Sequence, residues 1–284
     1  MFKKVAVFGT GSMGSGIIQT AAMNGLKVVA IDAQPASIER GKKIIEKSLA
    51  RFEKKGKLAE AVNEITDRIE FTTDIQKASD AEFVFEAVFE DIGVKSELYK
   101  KINDIVPKTA VFASNTSSLS MTELAKASGR SENFIGMHFF NPVPMMKLVE
   151  IIPALQTASS TVETAKEMAK ILGKTAVVCK DTPGFIVNRI LVPYMLEAAR
   201  VYDAQIATPE QIDTAMKLGA GVPMGPLELM DFTGVDIAYF VGNILYDETK
   251  DKKFLPPNIM AKMIQAGWLG RKTGKGFYDY SNKD

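Results

Sequence analysis

Gly9-Thr10-Gly11-Ser12-Met13-Gly14 directly follows the apolar run Lys4–Phe8 and opens a helical run near Gly14–Asn24. This is G-x-G-x-x-G in the context that gives it meaning. The first glycine permits the tight turn, the second lets a pyrophosphate approach the backbone, and the third lets helix pack on strand. The helix N-terminus then favours phosphate charge. Asp32 ends the second apolar run, Val28–Asp32, 18 residues after Gly14. A carboxylate there accepts hydrogen bonds from an adenosine ribose and repels a 2′-phosphate. Gly9, Gly11, Gly14 and Asp32 are therefore the expected cofactor contacts, and NAD is expected over NADP. The competing reading is a turn with packing glycines and a surface aspartate.

The rest of the first half repeats the same alternation. Strands are expected at Phe83–Ala87, Ala110–Ser114, Phe134–His138, Lys147–Ile152 and Thr175–Cys179, and helices at Ala36–Lys55, Val94–Val106, Ser120–Ala127 and Val162–Leu172. The early strands are apolar almost throughout, as strands covered on both faces should be. Strand–helix alternation implies an α/β fold, a Rossmann-type mostly parallel sheet domain spanning 1–182. After Cys179 the strand pattern stops. Asp181-Thr182-Pro183-Gly184 punctuates the chain, and Phe185–Val192, apolar apart from Asn188 and Arg189, reads as a helix buried in a larger assembly. Thr208-Pro209-Glu210-Gln211 is a capping box with proline in the first turn. Residues 183–284 are expected to form an all-α C-terminal domain.

Composition excludes several classes. The 284 residues are 46% hydrophobic and 24% charged, enough apolar content for a sizeable core. The net charge of +1 is too small for a whole-protein nucleic-acid binder. No apolar run reaches the length of a membrane span, and the run after Met-Phe-Lys-Lys is too short for a signal peptide. Cys179 is the single cysteine, so no disulfide forms within the chain, and a reducing, cytoplasmic setting is expected. No metal site is expected. His138 is the single histidine, so any chemistry that needs an imidazole depends on it.

His138 closes a strand, and positions 138 and 150 are symmetric about residue 144. An antiparallel pair turning at Pro142–Pro144 would set His138 opposite Glu150. A carboxylate on one ring nitrogen fixes the tautomer and leaves the other to act as a base. A structural, hydrogen-bonded histidine fits the same residues. Asn115-Thr116-Ser117-Ser118 follows the fourth apolar strand, where a parallel sheet faces its ligands. Ser120 already supplies the next helix cap with Glu123, which leaves Ser117 available for another task. Asn188 needs partners for its amide, in substrate or in a neighbouring helix. Residues 39–57 carry eight Lys/Arg against three Glu, either a solvated helix face or a docking arm for a polyphosphorylated ligand.

Several longer strings make a resemblance specific. The chain resembles the 3-hydroxyacyl-CoA dehydrogenases of the short, free-standing type, near the 3-hydroxybutyryl-CoA dehydrogenases. The match includes Gly9–Gly14, Asn115–Ser118, His138–Pro142, Lys147–Glu150, Lys180–Arg189, Gly221–Pro226 and Gly274–Tyr278. The resemblance implies His138 as general base with Glu150 as its carboxylate partner, and Ser117 and Asn188 as hydrogen-bonding residues for substrate oxygens. It implies Asp32, Glu90, Lys95, Asn115, Ser117 and Asn141 as NAD contacts. Ser48, Lys54 and Lys55 fall where such enzymes meet coenzyme A. It further implies NAD-dependent, reversible oxidation of a short (3S)-3-hydroxyacyl-CoA to the 3-ketoacyl-CoA, and a homodimer formed through the C-terminal domain. Two alternatives are another β-hydroxyacid dehydrogenase, which would use a catalytic lysine, and a non-catalytic dinucleotide-binding sensor or structural protein.

Overall fold

The computed structural model describes residues 2–281. The chain divides into two compact units, one ending at Thr182 and one beginning at Pro183.

The first unit grows from β1 (Lys4–Phe8), whose residues Val5, Ala6 and Val7 are fully buried. The glycine turn leads into α1 (Ser12–Met23), and β2 (Lys27–Ile31) returns parallel to β1 in register Val5 with Val28. Next comes α2 (Pro35–Lys54), started by Pro35 at its first position. It is held to the core by Ile38, Gly41, Ile45 and Leu49, one face of a helix. The short α3 (Val62–Thr66) and the strand β3 (Ile69–Thr72) follow, and β3 pairs parallel with β2. Both elements are additions to the expected set. β3 reads Ile-Glu-Phe-Thr and is only partly buried, so it lacks the continuous apolar run that marks its neighbours.

The chain then crosses to the other side of β1. β4 (Phe83–Glu86), α4 (Ile92–Ile102), β5 (Val111–Ser114), α5 (Met121–Ser128) and β6 (Phe134–Phe139) extend the sheet in parallel. β7 (Leu148–Pro153) turns back antiparallel to β6. After α6 (Ser159–Ile171), β8 (Thr175–Val178) closes the edge parallel to β7. The eight-stranded order is β3-β2-β1-β4-β5-β6-β7-β8. The direction of winding reverses between β1 and β4, and in such sheets ligands bind at the carboxyl ends of the strands flanking that reversal. Expected strand and helix limits differ from these by a few residues at most ends.

The second unit is helical. α7 (Val187–Asp203), α8 (Pro209–Ala220), α9 (Pro226–Thr233), α10 (Val235–Thr249) and α11 (Asn258–Gln265) bury Leu196, Leu227, Met230, Val235, Phe254 and Met260 completely. The reading of Phe185–Val192 as one helix needs correction at its start. Gly184 and Phe185 have φ of +76° and +49°, so helical geometry starts only at Val187.

Two buried aspartates explain motifs of this unit. Asp213 accepts hydrogen bonds from the Leu227 and Glu228 N–H groups at the start of α9, at 2.9 and 2.8 Å, and from the Tyr278 hydroxyl at 2.7 Å. Asp231 accepts from the Phe277 and Tyr278 N–H groups at 3.0 and 2.9 Å. Gly225 of the Gly221–Pro226 string lies so close that a Cβ there would come within 2.2 Å of Asp213, and the Gly274–Tyr278 string is hydrogen-bonded to Asp231. Burial pushes the Asp231 carboxyl up against the pull of those N–H groups.

Candidate active site in the sheet domain

The carboxyl ends of β1, β2, β4, β5 and β6 carry the residues of interest. Gly9 follows β1 with φ +98°, and a side chain there would meet the Ala87 backbone oxygen at 2.4 Å. A Cβ on Gly14 would lie 1.9 Å from the Gly9 oxygen. Both glycines are demanded by close backbone approach. Gly11 differs, since a Cβ there would meet nothing within 4 Å. The first N–H groups of α1 have no partners within the helix, and the turn leaves room beside them. Asp32 joins this turn to the one after β2. It accepts from the Thr10 N–H at 2.9 Å, the Thr10 hydroxyl at 3.0 Å and the Gln34 N–H at 3.0 Å.

His138 and Glu150 are register partners across β6 and β7. His138 Nδ1 lies 2.8 Å from Glu150 Oε2, with His138 only 6% exposed and Glu150 fully buried. With a carboxylate as neighbour, Nδ1 carries the proton and donates it, which presents Nε2 as the acceptor. The Phe140 ring packs edge-on against the imidazole at 4.7 Å and fixes its plane.

The β6–β7 turn folds back over α1. Val143 is buried against Gly16, where a Cβ would come within 2.8 Å of it. Lys174 clasps this turn by donating to the Val143 and Met146 carbonyl oxygens at 2.5 and 2.7 Å. Burial holds its ammonium below the usual lysine range. Asn141, on the same turn, is exposed. Asn115 bridges the strand ends, its Oδ1 accepting from the Phe139 N–H at 2.9 Å, and so ties the loop after β5 to the residue beside His138.

Glu90 organises that loop. Its Oε1 accepts from the Thr116 hydroxyl, from the Ser117 N–H at 2.8 Å and from Ser118 through its N–H at 3.3 Å and hydroxyl at 3.2 Å. Burial alone would push the Glu90 carboxyl up. The Lys95 ammonium, the Thr116 hydroxyl and the Ser117 N–H outweigh it and hold the group below its ordinary 4.5. A depressed carboxylate contributes its stabilisation at neutral pH and loses it only as pH falls through the depressed value. Lys95 Nζ sits 3.2 Å from Glu90 Oε2 and 2.5 Å from Glu86 Oε1, and its side chain is 1% exposed.

Glu86, Tyr99, Thr10 and Lys174 escaped the sequence reading. A signal existed for Glu86: a carboxylate closing the wholly buried strand Phe-Val-Phe-Glu must find a cation or several donors. Ser48 is half-buried on α2, while Lys54 and Lys55 are exposed at its end. They lie in the same unit as the turn and the histidine. Asn188 belongs to the second unit, in the first turn of α7. Cys179 is partly buried, and burial with nearby Glu150 and Asp181 pushes its thiol up to about 11, which removes it as a nucleophile at neutral pH.

The turn suits NAD on its own features. Backbone glycines at Gly9 and Gly14 close it, open space at Gly11 admits a pyrophosphate, and Asp32 offers a carboxylate for a ribose. Among the described residues no helix is long and apolar enough to cross a membrane. Residues 4–182 match the family model of the 3-hydroxyacyl-CoA dehydrogenase NAD binding domain, and residues 184–280 that of the 3-hydroxyacyl-CoA dehydrogenase C-terminal domain. The chain is 47% identical to a probable 3-hydroxybutyryl-CoA dehydrogenase of Deinococcus radiodurans, over 98% of this chain and 100% of the relative. It is 45% identical to the mitochondrial hydroxyacyl-coenzyme A dehydrogenase of Sus scrofa, over 99% and 92%. The crystal structure of (S)-3-hydroxybutyryl-CoA dehydrogenase from Ralstonia eutropha superposes with a TM-score of 0.94 at 43% identity, covering 99% of this chain and 100% of that one. With a dinucleotide turn, a histidine–carboxylate pair and near full-length kinship in agreement, this chain belongs to the 3-hydroxyacyl-CoA dehydrogenase family of NAD-dependent oxidoreductases.

Proposed function

We propose that this protein reversibly oxidises short-chain (3S)-3-hydroxyacyl-CoA to 3-ketoacyl-CoA, with 3-hydroxybutyryl-CoA and acetoacetyl-CoA as the reacting pair. The observation that carries the reading is the buried His138 Nδ1 at 2.8 Å from Glu150, on a strand whose carboxyl end adjoins the loop after β5. Bound NAD supplies the hydride acceptor. Glu150 holds the proton on Nδ1, and His138 Nε2 takes the C3 hydroxyl proton in oxidation and returns it in reduction. Ser117 and Asn188 hydrogen-bond substrate oxygens, and Glu90, Asn115 and Asn141 line the coenzyme. Lys95 completes that set by holding Glu90. Ser48, Lys54 and Lys55 receive the coenzyme A moiety.

The helical unit carries the remaining roles. Phe232, Ile237 and Phe240 are each at least half exposed, apolar surface of the kind that a second copy covers in a homodimer. A cytoplasmic setting, in fatty-acid or butyrate metabolism, agrees with a chain whose one cysteine is a free thiol.

The experiment that tests the function is a matrix of substrates and coenzymes. Acetoacetyl-CoA with NADH should turn over, and free acetoacetate should not. A β-hydroxyacid dehydrogenase would accept the free acid, and a non-catalytic binder would bind NADH without consuming it.

Two variants refine the reading. Asp32→Ala removes the carboxylate that would face a 2′-phosphate and also frees Thr10 and Gln34 from their acceptor. Its NADH-over-NADPH preference in kcat/KM should shrink by roughly tenfold or more, about 1.4 kcal/mol. Steady-state kinetics with both coenzymes check this, and a parent enzyme that prefers NADPH would contradict the Asp32 assignment. Lys54→Ala with Lys55→Ala should raise KM for acetoacetyl-CoA several-fold at nearly constant kcat, because contacts to a remote phosphate are the same in ground and transition states. Added salt should raise KM more in the parent than in the double variant. An unchanged KM and salt response would return α2 to a solvated surface.

A further inference from the structure

Glu86 is a fully buried carboxylate of the sheet unit whose side chain accepts four hydrogen bonds, and no role in the reaction described above falls to it. It closes β4 with no exposed surface. Its Oε1 accepts from Lys95 Nζ at 2.5 Å and from the Val88 N–H at 2.9 Å. Its Oε2 accepts from the Tyr99 hydroxyl at 2.8 Å and from the Ser114 hydroxyl at 2.7 Å. Its backbone oxygen accepts from the Asn115 N–H at 2.8 Å. Desolvation and the Glu86 charge push the Tyr99 phenol well up, so that hydroxyl stays a donor.

These contacts form one chain of charge leading outward. Glu86 and Lys95 neutralise each other in the interior. Lys95 reaches on to Glu90 Oε2, and the opposite oxygen of Glu90 gathers Thr116, Ser117 and Ser118. A buried ion pair is weak evidence for stability, because it is often matched by an apolar replacement of similar volume. Its geometric consequence is specific. The turn that follows β5 is held at its start by the Glu86 backbone and at its middle by Glu90. Glu90 is set in turn by an ammonium that cannot move, because its own counter-ion is anchored by three further donors.

We propose that Glu86 and Lys95 are positioning residues for the reaction, acting through Glu90 to fix the Asn115–Ser118 turn and with it the Ser117 hydroxyl. This rests on the function proposed above for Ser117. Lys95 then serves the coenzyme and substrate by holding Glu90 in place, its ammonium remaining in the interior. Small displacements of such a turn are costly, since a misplacement of about 1 Å lowers rates by about 10²-fold.

The test compares the parent with Glu86→Gln/Lys95→Met, which removes both charges together and leaves a side-chain oxygen for Tyr99 and Ser114. Amide exchange at Ser117 and Ser118 should accelerate about tenfold, with exchange across β1 and β2 unchanged. With acetoacetyl-CoA and NADH, kcat should fall about 10–10²-fold at a melting temperature close to the parent's. Parent-like exchange at Ser117 and Ser118, or parent-like kcat in the folded double variant, would overturn the proposal. If the double variant melts below the assay temperature, Glu86→Gln alone is measured the same way. Lys95 keeps Glu90 in that variant, so the same two changes should appear at about threefold, and their absence overturns the proposal equally. A parent enzyme inactive on acetoacetyl-CoA would refute the proposed function. The exchange comparison would then still decide whether the two charges hold the turn.

Discussion

His138→Gln should leave the protein folded and able to bind NADH while kcat for acetoacetyl-CoA reduction falls by about 10²–10⁴-fold, the usual share of general acid–base help. Glutamine keeps a donor that can face Glu150 and fills much of the space against Phe140, so the strand pair has no reason to separate. What it lacks is a ring nitrogen that can take a proton and return it. Glu150→Gln should also slow turnover, because an amide no longer requires the proton on Nδ1. NADH binding followed by fluorescence, together with kcat, separates loss of chemistry from loss of fold. A His138 variant that retains parent kcat would remove the imidazole from the mechanism.

Gly14→Ala should damage coenzyme binding severely. The added carbon would sit 1.9 Å from the Gly9 oxygen, so either α1 moves away from the turn or the turn opens. Overpacking of this kind costs about 1–3 kcal/mol, and the displacement falls on the N–H groups that would face the pyrophosphate. NADH affinity should drop roughly tenfold or more, with a lower melting temperature. Gly11→Ala makes the contrast: its Cβ meets no protein atom within 4 Å, so stability should be kept while the coenzyme is crowded. Calorimetry and NADH titration of the two variants check both halves. Equal NADH affinity in Gly14→Ala and the parent would mean that the turn does not hold the pyrophosphate.

The buried strands of a mostly parallel sheet and the placing of the glycine turn were legible because each of those strands carries an almost unbroken apolar run. The His138–Glu150 pairing was legible for a different reason. Antiparallel register follows from symmetry about a turn, and Pro142–Pro144 marks where that turn falls. β3 was not legible, because an edge strand is covered only partly and can afford Glu70 and Thr72. The start of α7 was misjudged because left-handed backbone at Phe185, a non-glycine residue, has no sequence signal. The Glu86–Lys95–Glu90 chain depends on contacts nine and five residues apart through a loop and a helix, and in the sequence only the carboxylate closing the apolar run of β4 points to it. Ser117, Asn141 and Asn188 owe their assignments to the family resemblance, since polar residues on loops and helix starts look alike in any sequence.

The central claim is that this chain passes a hydride between NADH and the third carbon of a short acyl-CoA, with the proton handled by His138. The most direct measurement mixes the protein with acetoacetyl-CoA and NADH, follows NADH absorbance and identifies the thioester product. The account predicts that NADH disappears one for one with the appearance of (3S)-3-hydroxybutyryl-CoA. NADH that remains unconsumed, or a product of the opposite configuration at the third carbon, would contradict it.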